Sequence, residues 1–173
     1  SMGDDTPLAA FSDKQRSFTD FFKQKFAQVT NPPIDPLREA VVMSLNTGFG
    51  QMHNILDEHP NHTKRLKAIS PILFWEKLEI LKSFGNPDKP QYDPDYKYRV
   101  YNTGFKDGLQ NSLESLSNTI IEDVKNDGVC TIILDDRCLD KDIKLIPMAM
   151  LIGYLNRSLL KAEVRHLISL ISI

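Results

Sequence analysis

Cysteine is scarce in this chain of 173 residues, which contains two, Cys130 and Cys138. Cys130 lies in an apolar stretch and Cys138 in a charged one, and their spacing matches neither a zinc site nor a redox motif. So few cysteines exclude a small scaffold that depends on disulfides. We expect two free thiols in a protein of a reducing compartment.

Strong charge of either sign and long apolar runs are also lacking. The formal net charge is -2, which gives no electrostatic footprint for nucleic acid or an anionic membrane surface. The longest near-apolar run, 146–155, is interrupted by Pro147 and Gly153 and falls short of the ~18 residues typical of a membrane span. With 41% hydrophobic and 25% charged residues, the composition is that of a soluble globular domain. We expect neither nucleic acid nor a membrane as a partner.

The sequence has no glycine-rich phosphate loop, because Thr47-Gly48-Phe49-Gly50 lacks the residues that must follow such a start. No metal-binding pattern is visible either. The spacings of the four histidines fit no metal-binding helix, and no Ser or Cys nucleophile is visibly paired with them: His53, His59, His62 and His166. We interpret them as surface or hydrogen-bonded histidines, and we predict no catalytic, cofactor-binding or metal-binding residue in this chain.

Proline, in contrast, is concentrated in one connector. Three of the ten prolines lie within 26–39, whose sequence is Phe-Ala-Gln-Val-Thr-Asn-Pro-Pro-Ile-Asp-Pro-Leu-Arg-Glu. A residue that precedes proline is displaced from helical geometry, so Asn31 and Pro32 are predicted to be extended. Asp35 followed by Pro36 is typical of a helix N-cap and first helical position. The pattern predicts a shaped connector between two helices.

This connector resembles, at essentially every position, a segment from the central domain of the large or single-chain subunit of glutamate synthase. Residues 1–7 are similar to that family's Ser-Met-Gly-x-Asp-Thr-Pro stretch. Later motifs follow in the family's order, at Met43-Ser44-Leu45, Arg65-Leu66, Ser70-Pro71-Ile72-Leu73 and Ile132-Ile133-Leu134-Asp135-Asp136-Arg137. The chain departs from the family's sequence at 48–54, at 154–156 and at Asp135, where a Ser is usual. Residues 84–97 resemble an insertion. The resemblance spans nearly the whole chain.

The resemblance implies a linking domain in a larger oxidoreductase acting on CH-NH2 donors, which makes two L-glutamate from L-glutamine and 2-oxoglutarate. The parent enzyme would use FMN and an iron-sulfur cluster, with NADH, NADPH or ferredoxin as electron donor. The family's glutaminase uses an N-terminal Cys and its cluster a trio of cysteines, and this chain contains neither. The resemblance therefore implies a fragment that is inactive alone and binds no FMN. Its partners would be the amidotransferase and FMN-binding synthase domains of the same polypeptide, in cytoplasm or plastid.

The resemblance also implies that the domain helps to form a tunnel for ammonia. Met2, Thr30 and Asn31 match family positions and are candidates for the tunnel wall or a domain interface. A tunnel must exclude bulk water, because protonated ammonia is no nucleophile, and its apolar wall needs a few oxygens. Thr30, with one methyl and one hydroxyl, suits this role. The alternative is that the motif only shapes the turn between two helices.

Apolar periodicity predicts an α/β fold, namely a partial parallel β/α domain similar to part of a TIM barrel, preceded by a helical N-terminal segment. We expect one domain fragment over 1–173, in which 1–85 is a mainly helical connector region and 96–173 a β-α-β-α-β region. The strands are predicted at 97–103, 129–134 and 166–173. Helix-length connections between them imply parallel pairing. Because the last strand pattern has no polar end, we also expect a fragment of a longer polypeptide.

Five helices are predicted, and 86–95 is predicted to be an exposed loop. An amphipathic helix carries a stripe formed by Phe18, Phe21, Phe22, Phe26 and Val29. A second helix runs from Pro36 through Leu45 to a loop at Gly48, and a third opens at Ser70-Pro71 and ends at Gly85. In the second region, helices over 109–124 and 147–161 connect the strands.

Two charged or aromatic patterns have competing interpretations. Asp135, Asp136 and Arg137 follow a buried strand and could bind a divalent ion, but adjacent residues point apart and no third ligand is near, so we favour a salt-bridge network. The tyrosines of 92–101, interleaved with cations, could stack on bases; nearby aspartates favour ordinary aromatic packing. Two other hypotheses stay open: a non-catalytic α/β interaction module, and a small independent α/β enzyme that uses Asp135, Asp136 and Arg137.

Overall fold

The computed structural model describes residues 37, 44–106, 108–137, 140 and 142–173. The chain divides into two compact units, Ser1–Met43 and Ser44–Ile173. In the first unit, Leu37 is helical and exposed. The predicted phenylalanine-striped helix and the proline connector lie outside the described residues. All the strands and helices from Thr47 onward belong to the second unit.

Three parallel strands form the sheet of the second unit, in the order β3-β5-β7. β3 spans Tyr98–Asn102, β5 spans Thr131–Asp135 and β7 spans Ser169–Ser172. Their registers pair Val100 with Ile133, and Ile133 with Ile171. The central strand β5 is buried on both faces, as its continuous apolar run predicts, and Ile132 and Leu134 are 0% exposed. The prediction of parallel pairing is confirmed.

Helix α2, Leu109–Glu122, connects the first two of these strands. Its apolar stripe continues without interruption into a π-helical segment, Asp123–Asp127. Gly128 then ends the helix with φ of 70°, a left-handed conformation that costs glycine least. The predicted stripe is buried as expected, with Leu113, Ile120 and Val124 all in the core.

Helix α3, Met148–Lys161, makes the second connection and begins directly after Pro147. Leu151, Leu155 and Leu159 recur every four residues and are each 0% exposed, so one face of the helix packs into the core. A short 3-10 helix, Arg165–Leu167, follows. The third strand therefore begins at Ser169 and not at the predicted residue 166.

The part before residue 85 departs from the helical prediction. Strands β1, Thr47–Phe49, and β2, Leu66–Ala68, pair in antiparallel fashion around a 3-10 helix, Pro60–Thr63. The predicted helix through Leu45 is thus wrong at its end, because 44–46 is irregular and the chain then enters β1. Burial of Phe49 against the rest of the unit favours this strand over a continued helix.

Helix α1, Trp75–Phe84, begins later than the predicted start at Ser70-Pro71. The Ser70 hydroxyl accepts a hydrogen bond of 3.1 Å from the backbone N–H of Ile72, a local turn that competes with helix formation. Phe74 is still extended, with ψ of 160°. The predicted end at Gly85 is confirmed, since its N–H caps the last turn.

A short antiparallel ribbon, absent from the sequence prediction, joins β4, Gly104–Phe105, to β6, Lys144–Leu145. A Cβ atom on Gly104 would clash with the side chain of Ile143, which precedes β6, so this close approach favours glycine. Two-residue strands carry no readable periodicity, which is why the sequence does not show them. Among the helices in the described residues, none has both the length and the apolar character that crossing a bilayer would require.

Candidate functional site

The carboxyl ends of the parallel strands are a candidate site, because ligands of open α/β sheets bind at this edge. Asn102 ends β3, Asp135 ends β5 and Ser172 ends β7. Their ends are held together by the backbone: the N–H of Thr103 donates to the carbonyl of Asp135 at 3.0 Å. We call this sheet end, with the loop that follows β5, the strand-end site.

An ion pair dominates the strand-end site. Arg137 donates to Asp135 through Nε at 2.8 Å and through Nη2 at 2.6 Å, and its backbone N–H donates to the same carboxylate at 3.0 Å. These hydrogen bonds lower the pKa of Asp135 to about 2. The carboxylate is therefore ionised at neutral pH, and both of its oxygens accept hydrogen bonds from Arg137.

Trp75, at the start of α1, lies beside this pair. The Arg137 guanidinium carbon is 4.8 Å from the indole ring centroid, and Lys82 Nζ is 5.2 Å from it. Both distances fall within cation–π range. Lys82 Nζ also bonds to Glu79 at 2.9 Å. The cations at this site thus already have anionic and aromatic partners.

The chemistry open to the strand-end site follows from this pairing. Asp135 is bound to Arg137, so it offers no free carboxylate to act as a base or to ligate a cation. In the residues that the structure describes, no group of three or more His, Cys, Asp or Glu side chains could hold a metal ion. The favoured interpretation of Asp135-Asp136-Arg137 as a salt-bridged loop agrees with the Asp135–Arg137 geometry.

Beside the strand-end site lies an apolar cleft of about 380 Å³. Its walls come from β1, from the extended segment before α1 with the start of α1, and from β7. The lining residues are Thr47, Phe49, Pro71, Ile72, Leu73, Trp75, Leu78, Leu170, Ile171, Ser172 and Ile173. None of them is charged. We call this the β7 cleft.

A second polar cluster fastens β3 to the π-helical segment. Arg99 forms ion pairs with Asp123 and Asp127, the latter at 2.9 Å, and the Tyr101 hydroxyl donates to Asp123 at 2.5 Å. Burial opposes ionisation of Asp123, but the hydrogen bonds from Tyr101 and Arg99 outweigh it and lower the pKa of that carboxyl. Because Arg99 and Tyr101 are engaged here, the structure favours ordinary packing over a base-stacking strip.

Three histidines meet although their sequence spacing does not indicate it. The His53 ring centroid lies 5.8 Å from that of His62 and 6.4 Å from that of His59. One nitrogen of each outer ring is already committed: His59 Nδ1 accepts from the Asn61 N–H at 3.2 Å, and His62 Nε2 lies 2.6 Å from the Asp57 carbonyl. The cluster therefore stabilises a surface loop by local hydrogen bonds.

Cys130 is the one thiol among the described residues and is 1% exposed. Burial raises the pKa of its thiol, which keeps it protonated and unreactive at neutral pH. An iron-sulfur cluster requires several cysteine ligands, and the whole sequence has two cysteines. The residues present do not fit such a cluster, so no step is assigned to one in this chain.

The three candidates for a tunnel wall or domain interface, Met2, Thr30 and Asn31, lie outside the described residues. Their roles stay predictions. The features that sequence reasoning missed are instead the contact of Trp75 with Arg137 and the β7 cleft. Both arise from the fold, which brings together residues from about 60 to about 125 positions apart, so no local spacing could reveal them.

Comparison with known proteins gives one consistent result. The family described as glutamate synthase central domain matches residues 1–172. The chain is 35% identical to the glutamate synthase [NADPH] large chain of Azospirillum brasilense over 170 residues, which are 98% of this chain and 11% of the relative. It is 36% identical to ferredoxin-dependent glutamate synthase 2 of Synechocystis sp. over 174 residues, with 98% and 11% covered. For the chloroplastic ferredoxin-dependent enzyme of Oryza sativa subsp. japonica, identity is 35% over 179 residues, with 99% and 10% covered. The chain thus spans about a tenth of the length of these relatives.

Proposed function

Since the chain belongs to the glutamate synthase family, as its central domain, we propose that it links the glutamine amidotransferase and FMN-binding synthase domains of one polypeptide and helps to form the ammonia tunnel between them. The observation that carries the proposal is the family match over 1–172 of a chain that covers 11% of its relatives. A match of that extent leaves most of each relative for other domains, among which this domain would act as a connector.

The parent enzyme would convert L-glutamine and 2-oxoglutarate into two L-glutamate with reduction, as an oxidoreductase acting on CH-NH2 donors. FMN and the iron-sulfur cluster would be held by its other domains. Relatives carry the names of NADPH-dependent and of ferredoxin-dependent enzymes, which supports NADPH or ferredoxin as the electron donor. NADH is a third donor that the family resemblance implies. We expect the isolated chain to be inactive and to bind no flavin; flavin absorbance that persists through purification would contradict this.

The fold supports a structural role for the second unit. Its described polar clusters bind their own charges, as the pairs of Asp135 with Arg137 and of Asp123 with Arg99 show. We propose that its three parallel strands belong to a larger sheet of TIM-barrel-like character. The division into a connector region, 1–85, and a β-α-β-α-β region, 96–173, is part of the same proposal.

Within the proposed tunnel, Met2, Thr30 and Asn31 would be wall or domain-interface residues. Thr30 is the most informative, because the prolines alone suffice to shape the turn, whereas its hydroxyl and methyl match the needs of an ammonia path. A wall residue of this size cannot grow without closing a narrow passage.

The test compares Thr30→Phe with Thr30→Val in the complete enzyme. Phe adds bulk and should uncouple the two reactions, so that glutamine is hydrolysed while glutamate formation from glutamine falls and formation from added ammonium survives. Val keeps the volume and should uncouple only mildly. The measurement is the ratio of glutamine consumed to 2-oxoglutarate converted. A Phe variant that keeps a one-to-one ratio at undiminished rate would assign Thr30 to the turn.

A further inference from the structure

The third strand of the sheet has an outer edge that opens into the β7 cleft. On its inner side, which faces β5, the N–H of Ser169 donates to the carbonyl of Cys130 and the N–H of Ile173 donates to the carbonyl of Leu134, both at 2.9 Å. In a parallel ladder, the N–H and C=O of one residue point to the same side, and alternate residues face opposite neighbours. The backbone groups of Leu170 and Ser172 therefore face away from β5.

The start of this outer edge is covered within the domain itself. The N–H of Met52 donates to the His166 carbonyl at 2.8 Å, and the N–H of Gly50 donates to the Ser169 hydroxyl at 3.1 Å. After Ser169 these hydrogen bonds to the outer edge end. Among the described residues, β7 pairs with β5 alone, and the outward groups of Leu170 and Ser172 have no hydrogen-bond partner.

The walls beside this open edge are apolar and uncharged. Leu170 and Ser172 line the β7 cleft together with Phe49, Ile72 and Trp75. Ile72 is 71% exposed and Trp75 52% exposed, and the adjoining Phe74 is 69% exposed. Apolar side chains grouped in this way beside unpaired backbone groups are characteristic of a surface that another polypeptide segment covers.

We propose that the β7 cleft binds an extended, uncharged and apolar segment of the same longer polypeptide, which pairs as a strand with the outer edge of β7. The inference rests on the proposed function, because it takes the chain to be one domain of that polypeptide. Backbone hydrogen bonds to Leu170 and Ser172 give affinity, and the apolar walls select the segment's side chains.

A segment of the same polypeptide fits the cleft better than a second copy does. The open edge offers the backbone groups of two residues, a small contact for an association that must overcome the entropy of bringing two molecules together. A tethered segment binds at a high effective concentration and needs no larger contact. The relatives are about ten times as long as this chain, so further segments exist in proteins that carry the domain.

Amide hydrogen exchange over 168–173 tests the proposal, with the 173-residue chain and the longer polypeptide compared by mass spectrometry. In the 173-residue chain, the amides of Leu170 and Ser172 should exchange rapidly while those of β5 are protected. In the longer polypeptide, both should exchange at least about 100-fold more slowly. Equal exchange in the two proteins would overturn the proposal. Protection that appears in the shorter chain as its concentration rises would assign the edge to a second copy and overturn it as well.

A matched pair of variants isolates the backbone contact. Ser172→Pro removes an N–H that faces away from β5, which an edge strand tolerates, whereas Ser172→Thr keeps it. In the 173-residue chain, both should melt with the native protein. In the longer polypeptide, Pro should restore rapid exchange at Leu170, and Thr should not. If Pro unfolds the shorter chain, Ile72→Glu replaces it, because a charge in the apolar wall should also expel the segment. Protection that survives in every folded variant would overturn the proposal.

Exchange is measured without turnover, so its result is separate from that of the Thr30 test. Protection at Leu170 together with unchanged coupling in the Thr30→Phe enzyme would retain the docked strand and reject the tunnel role. Uncoupling by Thr30→Phe without protection at Leu170 would do the reverse.

Discussion

Apolar residues are common in both 47–84 and 98–172, but the two regions use them differently. In 98–172, Ile132, Leu151 and Leu155 are 0% exposed and form one core around β5. In 47–84, Phe49, Leu78 and Leu81 are buried. Ile55, Ile69 and Ile72 of the same region are exposed, and short hydrogen-bonded turns connect β1, β2 and α1. The region 98–172 is stabilised by its own packing. The region 47–84 leaves apolar surface available for contacts beyond the unit.

The largest expected effect is the difference in the free energy of unfolding between two variants, each with one side chain truncated in one of the two regions. Leu155→Ala should lower the free energy of unfolding by about 2–5 kcal/mol, because it removes a fully buried side chain and leaves a cavity. Ile55→Ala, at 83% exposure, should change it by less than about 0.5 kcal/mol. The measurement is urea denaturation of the 173-residue chain.

Leu160→Ala is the control for helix α3, because it makes the same substitution in the same helix at a position that is 59% exposed. It should leave the urea midpoint nearly unchanged. Comparable losses from Leu155→Ala and Ile55→Ala would contradict the distinction between a packed core and a turn-supported region.

The contrast also explains which parts of the fold the sequence can predict. In 98–172 the period of apolar residues reports burial directly, so the strand around Ile132 and the helix through Leu155 are predicted correctly. In 51–77, between the buried Phe49 and Leu78, no residue is buried, and local hydrogen bonds such as that of the Ser70 hydroxyl determine the backbone. The spacing of apolar residues then carries little information about the backbone, and the helix start predicted at Ser70 is wrong.

For the site, the sequence predicts the Asp135-Asp136-Arg137 loop because charged residues directly follow an apolar run. It cannot predict the contact with Trp75, which is 62 positions from Arg137 along the chain and lies beside it only because of the fold. The open edge of β7 is equally hidden, since strand order is a property of the whole sheet.

An intermediate effect concerns the strand-end ion pair at the boundary of the two regions. The folded pKa of Asp135, about 2, lies below its ordinary value of 3.8. A depressed carboxyl pKa stabilises the folded state above the unfolded pKa, and this contribution is lost as pH falls from about 4 to about 2. With Arg137 partly exposed and the pair screened by water, we expect a loss of about 1 kcal/mol.

The measurement is the urea midpoint at about pH 5 and about pH 3 for the native chain and for Asp135→Asn. The native midpoint should fall more between these pH values than that of the variant. Asp136→Asn is the matched control, because it removes a neighbouring charge and leaves the acceptor of Arg137 in place. An Asp136→Asn chain that loses as much pH dependence as Asp135→Asn would attribute the effect to net charge.

The smallest expected effect concerns an ion pair between 47–84 and the loop that precedes β3. Lys64 Nζ lies 2.7 Å from Asp95, a distance close to that of the Arg137–Asp135 pair, yet the two side chains are 53% and 66% exposed. Water solvates both charges in the folded and in the unfolded chain, so the contact adds little. The region is held instead by two hydrogen bonds near the start of β7, from the Gly50 N–H to the Ser169 hydroxyl and from the Met52 N–H to the His166 carbonyl. Lys64→Ala should therefore leave the urea midpoint unchanged at low and at high salt. A fall at low salt that disappears at high salt would show that surface charge, and not the backbone bonds to β7, fastens 47–84 to the core.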